Sequence, residues 1–516
     1  MKNRFVFFVL LSFIFSLAVS SAYGKKSSAD ETWKKQVPEP VFEDNAGYIE
    51  LYWKAWELAH DHIMVKEGLP QSPYMDEAFS KGEDWIWDTC FMVQFCKYSP
   101  EVFPGIQTLN NFYAPLHDGV ASSGKISIPD NPPLFAWTEL EYYKLTGDKE
   151  HLEKLIHEKQ YLQKHFAWFD TVQPGYVIPP PNKPSRAKTC VKRVPLGYHW
   201  EGGRSGMDNT PRGRRGEKAT RSRPNNPKML WIDAIAQQGL SALSIARLAE
   251  ELGDKALQRK YMAEYEKLKK LVNDHYWDKK DGIYYDIHVD TKKHMKVMTP
   301  ASFWPMLAEM CSKEQAAQMV KLVKNPEVFG GDIPWVTLAR NDPDFVEDYG
   351  EYWRGSVWLP TAYMSVKAIQ KYGYYELAAE NAENIVKHML KTYKEYEPHT
   401  IWECYSPSRA EPAKHGKRRV RANFCGWSAL GPISLFIENV LGFHVIDASK
   451  RRIEWFLHQQ GKHGLKNLRF GDILTSIVYE GKGKVAVKSN GAYTLVINGS
   501  SYDIKKGQKS LTIKTN

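Results

Sequence analysis

Two acidic residues in loops rich in glycine and aromatic side chains have the surroundings of a catalytic acid and base. Asp208 lies in Glu201-Gly-Gly-Arg-Ser-Gly-Met-Asp208-Asn-Thr-Pro-Arg212, where three glycines let the backbone bend and approach a ligand. Glu403 lies in His399-Thr-Ile-Trp402-Glu403-Cys-Tyr405, where aromatic rings would shield it from water. Singly, Asp208 also fits a turn-forming aspartate and Glu403 a surface glutamate. As a pair they suit glycosidic bond cleavage, in which two carboxyl groups protonate the leaving oxygen and activate water or attack the anomeric carbon.

Two further segments combine tryptophan with charged side chains. Glu83-Asp84-Trp85-Ile86-Trp87-Asp88 opens a predicted helix, and Tyr352-Trp353-Arg354-Gly355-Ser-Val-Trp358 precedes another. Acids in a first helical turn are also expected from the helix dipole, and spaced tryptophans are also typical of a core. A sugar site nevertheless needs such residues, because aromatic rings pack on pyranose faces while polar groups bind hydroxyls.

Together, and in this order along the chain, the four segments resemble the clan of (α/α)6-barrel glycosidases that includes trehalases, processing α-glucosidases and mannosylglycerate hydrolases. The resemblance covers roughly residues 45–445. It implies an inverting α-glycosidase with Asp208, in Gly-x-Asp-Asn-x-Pro-Arg, as general acid and Glu403, in Glu-x-Tyr, as general base. Met207, before the predicted acid, and Cys404, between Glu403 and Tyr405, depart from the pattern of any one member. The resemblance therefore defines the clan better than it defines the substrate. The substrate-binding residues implied are Trp87, Asp88, Asn209, Arg212, Trp353, Arg354, Trp402, Tyr405 and Trp427.

Basic side chains follow both candidate acids. Arg212-Gly-Arg-Arg-Gly-Glu-Lys-Ala-Thr-Arg-Ser-Arg223 continues the first loop, and Lys414-His-Gly-Lys-Arg-Arg-Val-Arg421 follows Glu403. Charge runs are usually solvated loops. The alternative is that arginine guanidinium groups surround the entrance of the pocket. They would favour an anionic oligosaccharide or glycoside bearing a uronate, glycerate or sulfate. Nucleic acid is not expected as a partner, because no nucleic-acid-binding fold accompanies these runs.

Helical periodicity extends over about four hundred residues. Gly-Asp at 147–148 and 253–254 each predicts the end of one helix and the start of the next. Successive helix pairs predict a closed ring, a mainly α (α/α) toroid, rather than a solenoid, because no fixed-period repeat is present. The resemblance implies six hairpins. Helices are expected at 48–64, 84–97, 134–146, 149–169, 229–251, 255–276, 313–324, 354–371, 373–391 and 426–440, and long loops at 99–132, 171–228, 325–353 and 398–425.

The two ends of the chain differ from the helical region. Lys2 and Arg4 precede an apolar stretch and Ala22-Tyr23-Gly24, the pattern of a signal peptide, so we expect a periplasmic or secreted protein with no membrane contact after cleavage. Alternating residues after Ile446 predict strands at 472–479, 484–489, 493–497 and 510–513. The expected organisation is a signal peptide at 1–24, a connector at 25–44, a catalytic domain at 45–445 and a small β-sandwich-like all-β domain at 446–516.

The composition fits an exported globular protein. Seventy basic and 60 acidic side chains give a formal charge of +10, which is modest for 516 residues. The six cysteines show no CxxC or zinc pattern; they allow one or two disulfides without assigning them. No metal or other cofactor is expected, and nothing indicates an oligomeric state.

Three other classes share parts of these features. A polysaccharide lyase can combine an (α/α) toroid with β domains, but it needs a tyrosine or histidine base. An unsaturated-uronyl hydrolase uses a similar barrel. A non-catalytic sugar-binding protein would not need both carboxyl groups. The pair of carboxyl groups favours hydrolysis over the lyase and over the non-catalytic protein, and the unsaturated-uronyl hydrolase stays an alternative.

Overall fold

A computed structural model describes residues 31–77, 84–124, 126, 128–178, 188–214 and 226–513. The predicted signal peptide lies outside these residues. Among the described residues, no helix is both long and apolar enough to cross a membrane. All six cysteines are described, and all are free thiols.

The described chain up to residue 440 is rich in helices. Two helix ends confirm the Gly-Asp prediction: Gly147 adopts a left-handed φ of 64°, and Asp148 accepts a hydrogen bond from the His151 amide at 3.0 Å. Asp254 accepts from the Leu257 amide at 2.9 Å in the same way. The α-helices are α1 Ala46–His60, α2 Ile86–Cys96, α3 Gly105–His117, α4 Phe135–Thr146, α5 Lys149–Glu153, α6 Tyr161–Thr171, α7 Gly202–Ser205, α8 Ile232–Glu251, α9 Lys255–His275, α10 Trp304–Leu307, α11 Lys313–Lys324, α12 Leu359–Gln370 and α13 Tyr375–Glu395, with π-helical turns at Lys154–Glu158 and Gly431–Val440.

The helices fall into two sets that differ in burial. Every residue of α2 is buried, whereas α9 buries only Tyr261, Tyr265, Leu268 and Val272 along one stripe. This is the difference between a helix surrounded by protein and one that faces water. The buried helices contact one another in succession: α2 contacts α4, α4 contacts α8, α8 contacts α10, and α10 contacts α12. The segment Gly431–Val440 contacts both α12 and α2. Helices α3, α9 and α13 pack against α2, α8 and α12 respectively.

The C-terminal region is rich in strands, as predicted. One sheet has the order β1-β15-β16-β17-β20 and the other β13-β14-β18-β19, in which only the β14–β18 pair is parallel. The strands of these sheets are β1 Glu39–Phe42, β13 Phe443–Asp447, β14 Arg452–Trp455, β15 His463–Phe470, β16 Ile473–Gly481, β17 Lys484–Ser489, β18 Tyr493–Ile497, β19 Ser500–Ile504 and β20 Ser510–Thr512; shorter strands are β2 Ile63–Met64, β3 Tyr74–Met75, β4 Lys192–Val194, β5 Gly197–His199, β6 Met229–Leu230, β7 Trp277–Asp278, β8 Ile283–Tyr284, β9 Asp286–His288, β10 His294–Met295, β11 Lys414–His415 and β12 Arg418–Arg419.

Three local predictions differ from the structure. The expected loop at 99–132 contains helix α3. Gly105 and Pro115 are poor helix formers and made a loop the expected structure, although the apolar residues of this segment lie on one buried face of the helix. The expected connector at 25–44 contributes β1, which pairs antiparallel with β15. The single helix expected at 149–169 is interrupted by the turn Lys154–Glu158 and by Gln160, whose φ is 56°.

Candidate active site

A cavity of about 230 Å³ lies at the N-terminal ends of α2 and α12. Trp87 lies in the first turn of α2, and Trp358 is the residue before α12. Helix N-termini carry partial positive charge, so this end of the helices suits carboxylates and sugar oxygens. The side chains and backbone that line the cavity belong to Trp85, Trp87, Asp88, Ile128, Asn131, Gly203, Gly206, Asp208, Tyr352, Trp353, Trp358, Arg421 and Trp427.

Glu403 is buried at the side of this cavity and is held by two residues that line it. Its Oε1 accepts hydrogen bonds from the Tyr352 hydroxyl at 3.0 Å and from Arg421 Nη1 at 2.6 Å. Its Oε2 accepts from the Arg421 backbone amide at 3.1 Å. A carboxylate offers about four acceptor positions, so these bonds leave one lone pair of Oε2 for a water molecule.

Asp208 lies in the loop after α7 and is exposed at the cavity lining. The loop turns at Gly206, whose φ is 83°. A Cβ atom at Gly206 would lie 2.7 Å from the Trp87 ring, so a side chain here would push the ring away as well as strain the backbone. Glycine at position 206 therefore allows the Asp208 loop to pack directly against the Trp87 ring.

Asp88 lines the same cavity as Asp208. Burial raises the pKa of Asp88 well above its usual value, and the charges of Asp208 and Glu403 raise it further. The same two charges, together with burial, raise the pKa of the Tyr352 hydroxyl. A raised pKa favours the protonated carboxyl group, which can donate a hydrogen bond to a sugar hydroxyl as well as accept one.

Tryptophan rings form one wall of the cavity. The rings of Trp353 and Trp358 stack with centroids 4.0 Å apart, and the Trp427 ring lies 5.2 Å from Trp358. Trp427 also donates from Nε1 to the Glu403 backbone carbonyl at 2.9 Å, which ties the wall to the acid. A flat apolar surface beside carboxyl groups matches the two faces of a pyranose ring.

Asn209 connects the Asp208 loop to the tryptophan wall and does not line the cavity. Its Nδ2 donates to the Glu351 carbonyl at 3.0 Å, and its Oδ1 accepts from the Trp353 amide at 2.8 Å. This buried side chain therefore joins two loops, and its predicted contact with a sugar stays a prediction.

Arg212 likewise lies outside the cavity lining. Its buried guanidinium donates to both carboxylate oxygens of Asp233, at 2.7 and 3.0 Å, and of Asp286, at 2.9 and 2.6 Å. It also lies over the Trp231 ring, 4.6 Å from its centroid. These four bonds use the guanidinium N–H groups that a contact with a sugar would need, and they fix the end of the Asp208 loop to Asp233 and Asp286.

Three other predicted contacts are also placed outside the lining. Arg354 is 3.9 Å from an Asp344 carboxylate oxygen and points toward that partner. The Tyr405 hydroxyl accepts from the Trp402 amide at 3.2 Å, so these two buried residues shape the Glu403 segment from behind. By contrast Trp87, Asp88, Trp353, Trp427 and Asp208 all line the cavity, and their roles stay predictions.

Comparison with known proteins identifies the family. A family model described as the mannosylglycerate hydrolase MGH1-like glycoside hydrolase domain matches residues 117–419, which is more than half of the chain. The chain belongs to this MGH1-like glycoside hydrolase family.

Individual relatives are distant. An uncharacterized protein of Borreliella burgdorferi is 25% identical over 93% of this chain and 97% of that protein. The mannosyl-oligosaccharide glucosidase of Saccharomyces cerevisiae is 24% identical over 54% of this chain and 34% of the relative. The mannosylglycerate hydrolase of Rubrobacter radiotolerans is 26% identical over 28% of this chain and 32% of the relative. The chain thus aligns with about a third of each of these two named relatives.

Solved structures show the fold. The GH63 mannosylglycerate hydrolase of Thermus thermophilus superposes with a TM-score of 0.53 at 15% identity, covering 74% of this chain and 99% of that one. A sialidase superposes with a TM-score of 0.68 at 14% identity, covering 89% of this chain and 40% of that one.

Among the cavity residues that were not predicted from the sequence as site residues, Tyr352 and Arg421 are the two that bond to Glu403. Tyr352 stands beside Trp353 in its motif, and Arg421 ends the basic run that begins at Lys414. The donor group that each carries is the signal from which a bond to a carboxylate could be predicted. Of the basic run after Asp208, Arg215, Lys218, Arg221 and Arg223 lie outside the described residues.

We expect Asn209→Ala to lower kcat in this MGH1-like enzyme by roughly tenfold to a hundredfold, because the Asp208 loop loses its bonds to the tryptophan wall. The cost in stability should be about 1–3 kcal/mol. Asn111→Ala is the matched control, because Asn111 is equally buried and bridges Gln71 through one donor and one acceptor bond, at 3.1 and 2.7 Å. Kinetics and thermal melting on both variants separate the roles; equal kcat losses would contradict positioning by Asn209.

A buried acidic group behind the cavity predicts a pH dependence of stability. Burial first, and then the charge of Asp76, raise the pKa of Asp84 to about 8. In the unfolded chain the pKa of an aspartate is about 4. The folded state therefore holds one more proton between these values, and stability falls as pH rises through this window and levels off above it. Glu77, whose pKa is also raised by burial, acts in the same direction.

Asp84→Asn is expected to make this fall shallower, by up to about 1.4 kcal/mol per pH unit. Urea unfolding at several pH values between weakly acidic and alkaline gives the slope. Asp274→Asn is the control, since Asp274 is exposed and Lys270 lowers its pKa. An unchanged slope in Asp84→Asn would contradict the assignment of this proton to Asp84.

Proposed function

We propose that the chain hydrolyses an α-linked glycoside with inversion, Asp208 acting as general acid and Glu403 as general base. The observation that carries the proposal is one aromatic-walled cavity that Asp208 lines and beside which Tyr352 and Arg421 hold the Glu403 carboxylate. The family membership supports glycoside hydrolysis.

The reaction follows from these contacts. A sugar ring packs on Trp353 and Trp427 while Asp88 binds a hydroxyl group. Glu403 takes a proton from a water molecule, whose oxygen bonds to the anomeric carbon as the glycosidic bond breaks. Asp208 gives its proton to the leaving oxygen. Solvent then returns a proton to Asp208 and takes one from Glu403, so that one water is consumed for each bond broken.

We also propose that the succession of helix contacts is an (α/α)6 barrel with a separate C-terminal β domain. Helices α2, α4, α8, α10 and α12 and the segment Gly431–Val440 would form its inner ring. The inner helices are the ones whose burial is nearly complete, which supports this arrangement.

A stereochemical experiment tests the proposal. The purified chain is incubated with α-linked substrates that include trehalose, other α-glucosyl disaccharides and α-mannosylglycerate, and proton NMR records the anomer first released. Inversion of an α-linkage releases the β-anomer first. First release of the α-anomer would contradict inversion, and an ultraviolet-absorbing unsaturated product would indicate a lyase. A preparation of Asp208→Asn excludes a contaminating glycosidase.

An anionic substrate is the second candidate, favoured by a basic hairpin at the cavity mouth. Strands β11 and β12 form this hairpin, and its His415 ring stacks on Tyr352 with centroids 4.3 Å apart. Lys417 and Arg418 at its tip are exposed. If they attract substrate, kcat/KM for a carboxylated or sulfated glycoside should fall with added salt, whereas that for a neutral disaccharide should not. Equal salt dependence would exclude this role.

Export is proposed on the N-terminal sequence alone. N-terminal sequencing of the protein recovered from its native host tests it, with cleavage expected after residue 24. Recovery of an intact N-terminus would contradict it.

A further inference from the structure

A cluster of basic side chains lies at the opposite ends of the helices that form the candidate active site. Lys97 follows the last residue of α2, and Lys371 follows the last residue of α12. Trp87 and Lys97 are thus about 15 Å apart along one helix. Lys97, Lys144, Arg247 and Lys367 line a cavity of about 380 Å³, closed on one side by strand β13; we call it the basal cavity.

Carboxylates neutralise only part of this charge. Glu438 accepts from Lys367 at 2.6 Å and lies 3.7 Å from Lys97. Glu141 pairs with Lys144 at 2.7 Å. Glu309 is shared between Lys371 at 2.8 Å and the Arg247 fork at 2.7 and 2.9 Å. Among the described residues of this cluster, five cations (Lys97, Lys144, Arg247, Lys367 and Lys371) therefore face three carboxylates (Glu141, Glu309 and Glu438).

The remaining charged groups at the rim do not remove the excess. Lys450 pairs with Asp447 at 3.2 Å, and Arg452 pairs with Glu454 at 2.7 Å. Burial lowers the pKa of His444, so this histidine is neutral near pH 7. The cluster thus has about two more positive charges than carboxylates; its Lys371 and Glu309 lie outside the lining of the basal cavity, next to Arg247.

The buried position of these cations makes the excess costly. The Lys97 side chain is only 6% exposed, and one of its two polar contacts is a hydrogen bond of 3.3 Å to Gln94. Burial lowers the pKa of Lys97 and of Lys371, which means that the charged forms lack full solvation. A bound anion would restore that solvation through charge-assisted hydrogen bonds.

We propose that the basal cavity is a binding site for a small tetrahedral oxyanion, inorganic phosphate or sulfate. The charge of such a dianion matches the excess, and ammonium groups around a cavity of this size can surround it. Bound there, the anion would bridge the helix ends and β13, and so stabilise the contact between the helical and strand-rich regions.

Calorimetric titration of the full chain with phosphate and, separately, with sulfate tests the proposal, with chloride holding ionic strength constant. Saturable binding is expected for at least one anion, accompanied by a concentration-dependent rise in Tm. Lys144→Gln should weaken it by about tenfold or more, because one charge-assisted bond is lost. Lys367→Gln is the second variant and should act likewise if the first does not fold, because Lys367 also lines the basal cavity.

Two controls locate the site. Lys267→Gln removes another i,i+3 pair of 2.7 Å, with Glu264, on the exposed face of α9 and should leave binding unchanged. Arg421→Gln should also leave it unchanged, because Arg421 belongs to the other cavity. No saturable binding, or binding lost only in Arg421→Gln, would overturn the proposal; the basic residues would then serve only the negative ends of the helix dipoles. No turnover is measured, so the result is independent of the proposed function.

Discussion

Asp208→Asn is expected to lower kcat by about 10²- to 10⁴-fold on a glycoside with a sugar leaving group, because no group then protonates the leaving oxygen. KM should change little, because asparagine keeps the shape of the side chain and its place at the cavity lining. Steady-state kinetics on the substrate found in the stereochemical screen gives both constants.

The leaving group provides the decisive control for the Asp208 variant. Fluoride departs without protonation, so hydrolysis of the corresponding glycosyl fluoride should be far less affected than that of the glycoside. An equal loss on both substrates would contradict the role of general acid and would indicate that Asp208 supports the loop instead.

Glu403→Gln is expected to lower kcat by a similar factor, and on both substrates, because water must be activated whatever the leaving group. The amide cannot take a proton, and its nitrogen cannot accept the bonds that Tyr352 and Arg421 direct at the carboxylate. The contrast between the two variants on the fluoride therefore assigns acid and base separately.

A matched variant separates this loss from a loss of stability. Glu438 is also buried, and it accepts from the hydroxyls of Tyr98 at 2.7 Å and Tyr363 at 3.1 Å and from Lys367. Glu438→Gln should therefore lower Tm about as much as Glu403→Gln does while leaving kcat near its original value. A comparable fall of kcat in both variants would indicate that Glu403 has only a structural role.

The sequence alone predicted the features that depend on local chemistry. Helix ends at Gly147 and Gly253 follow from the left-handed conformation that glycine permits and from the capping oxygen of the next aspartate. The strands after residue 446 follow from period-two alternation. The family could be recognised because its motifs are short, continuous segments whose order along the chain is visible without coordinates.

Only the tertiary structure decided which motif residues reach the cavity. Arg212 belongs to the same motif as Asp208, yet Asp233 and Asp286, each more than twenty residues away in sequence, take up its donors. Asn209 meets a backbone 144 residues further along the chain. Arg421 and Tyr352 reach Glu403 through pairings between loops that no local pattern reports.

The physical reason is that composition and periodicity express the conformational preferences of neighbouring residues, whereas a hydrogen bond is made with whichever partner folding brings within about 3 Å. Asp208 and Glu403 could be nominated from the sequence because their immediate neighbours are distinctive. The excess charge at the basal cavity could not be predicted from the sequence. The five cations of the cluster come from four helices or their ends, and they are adjacent only once those helices pack side by side.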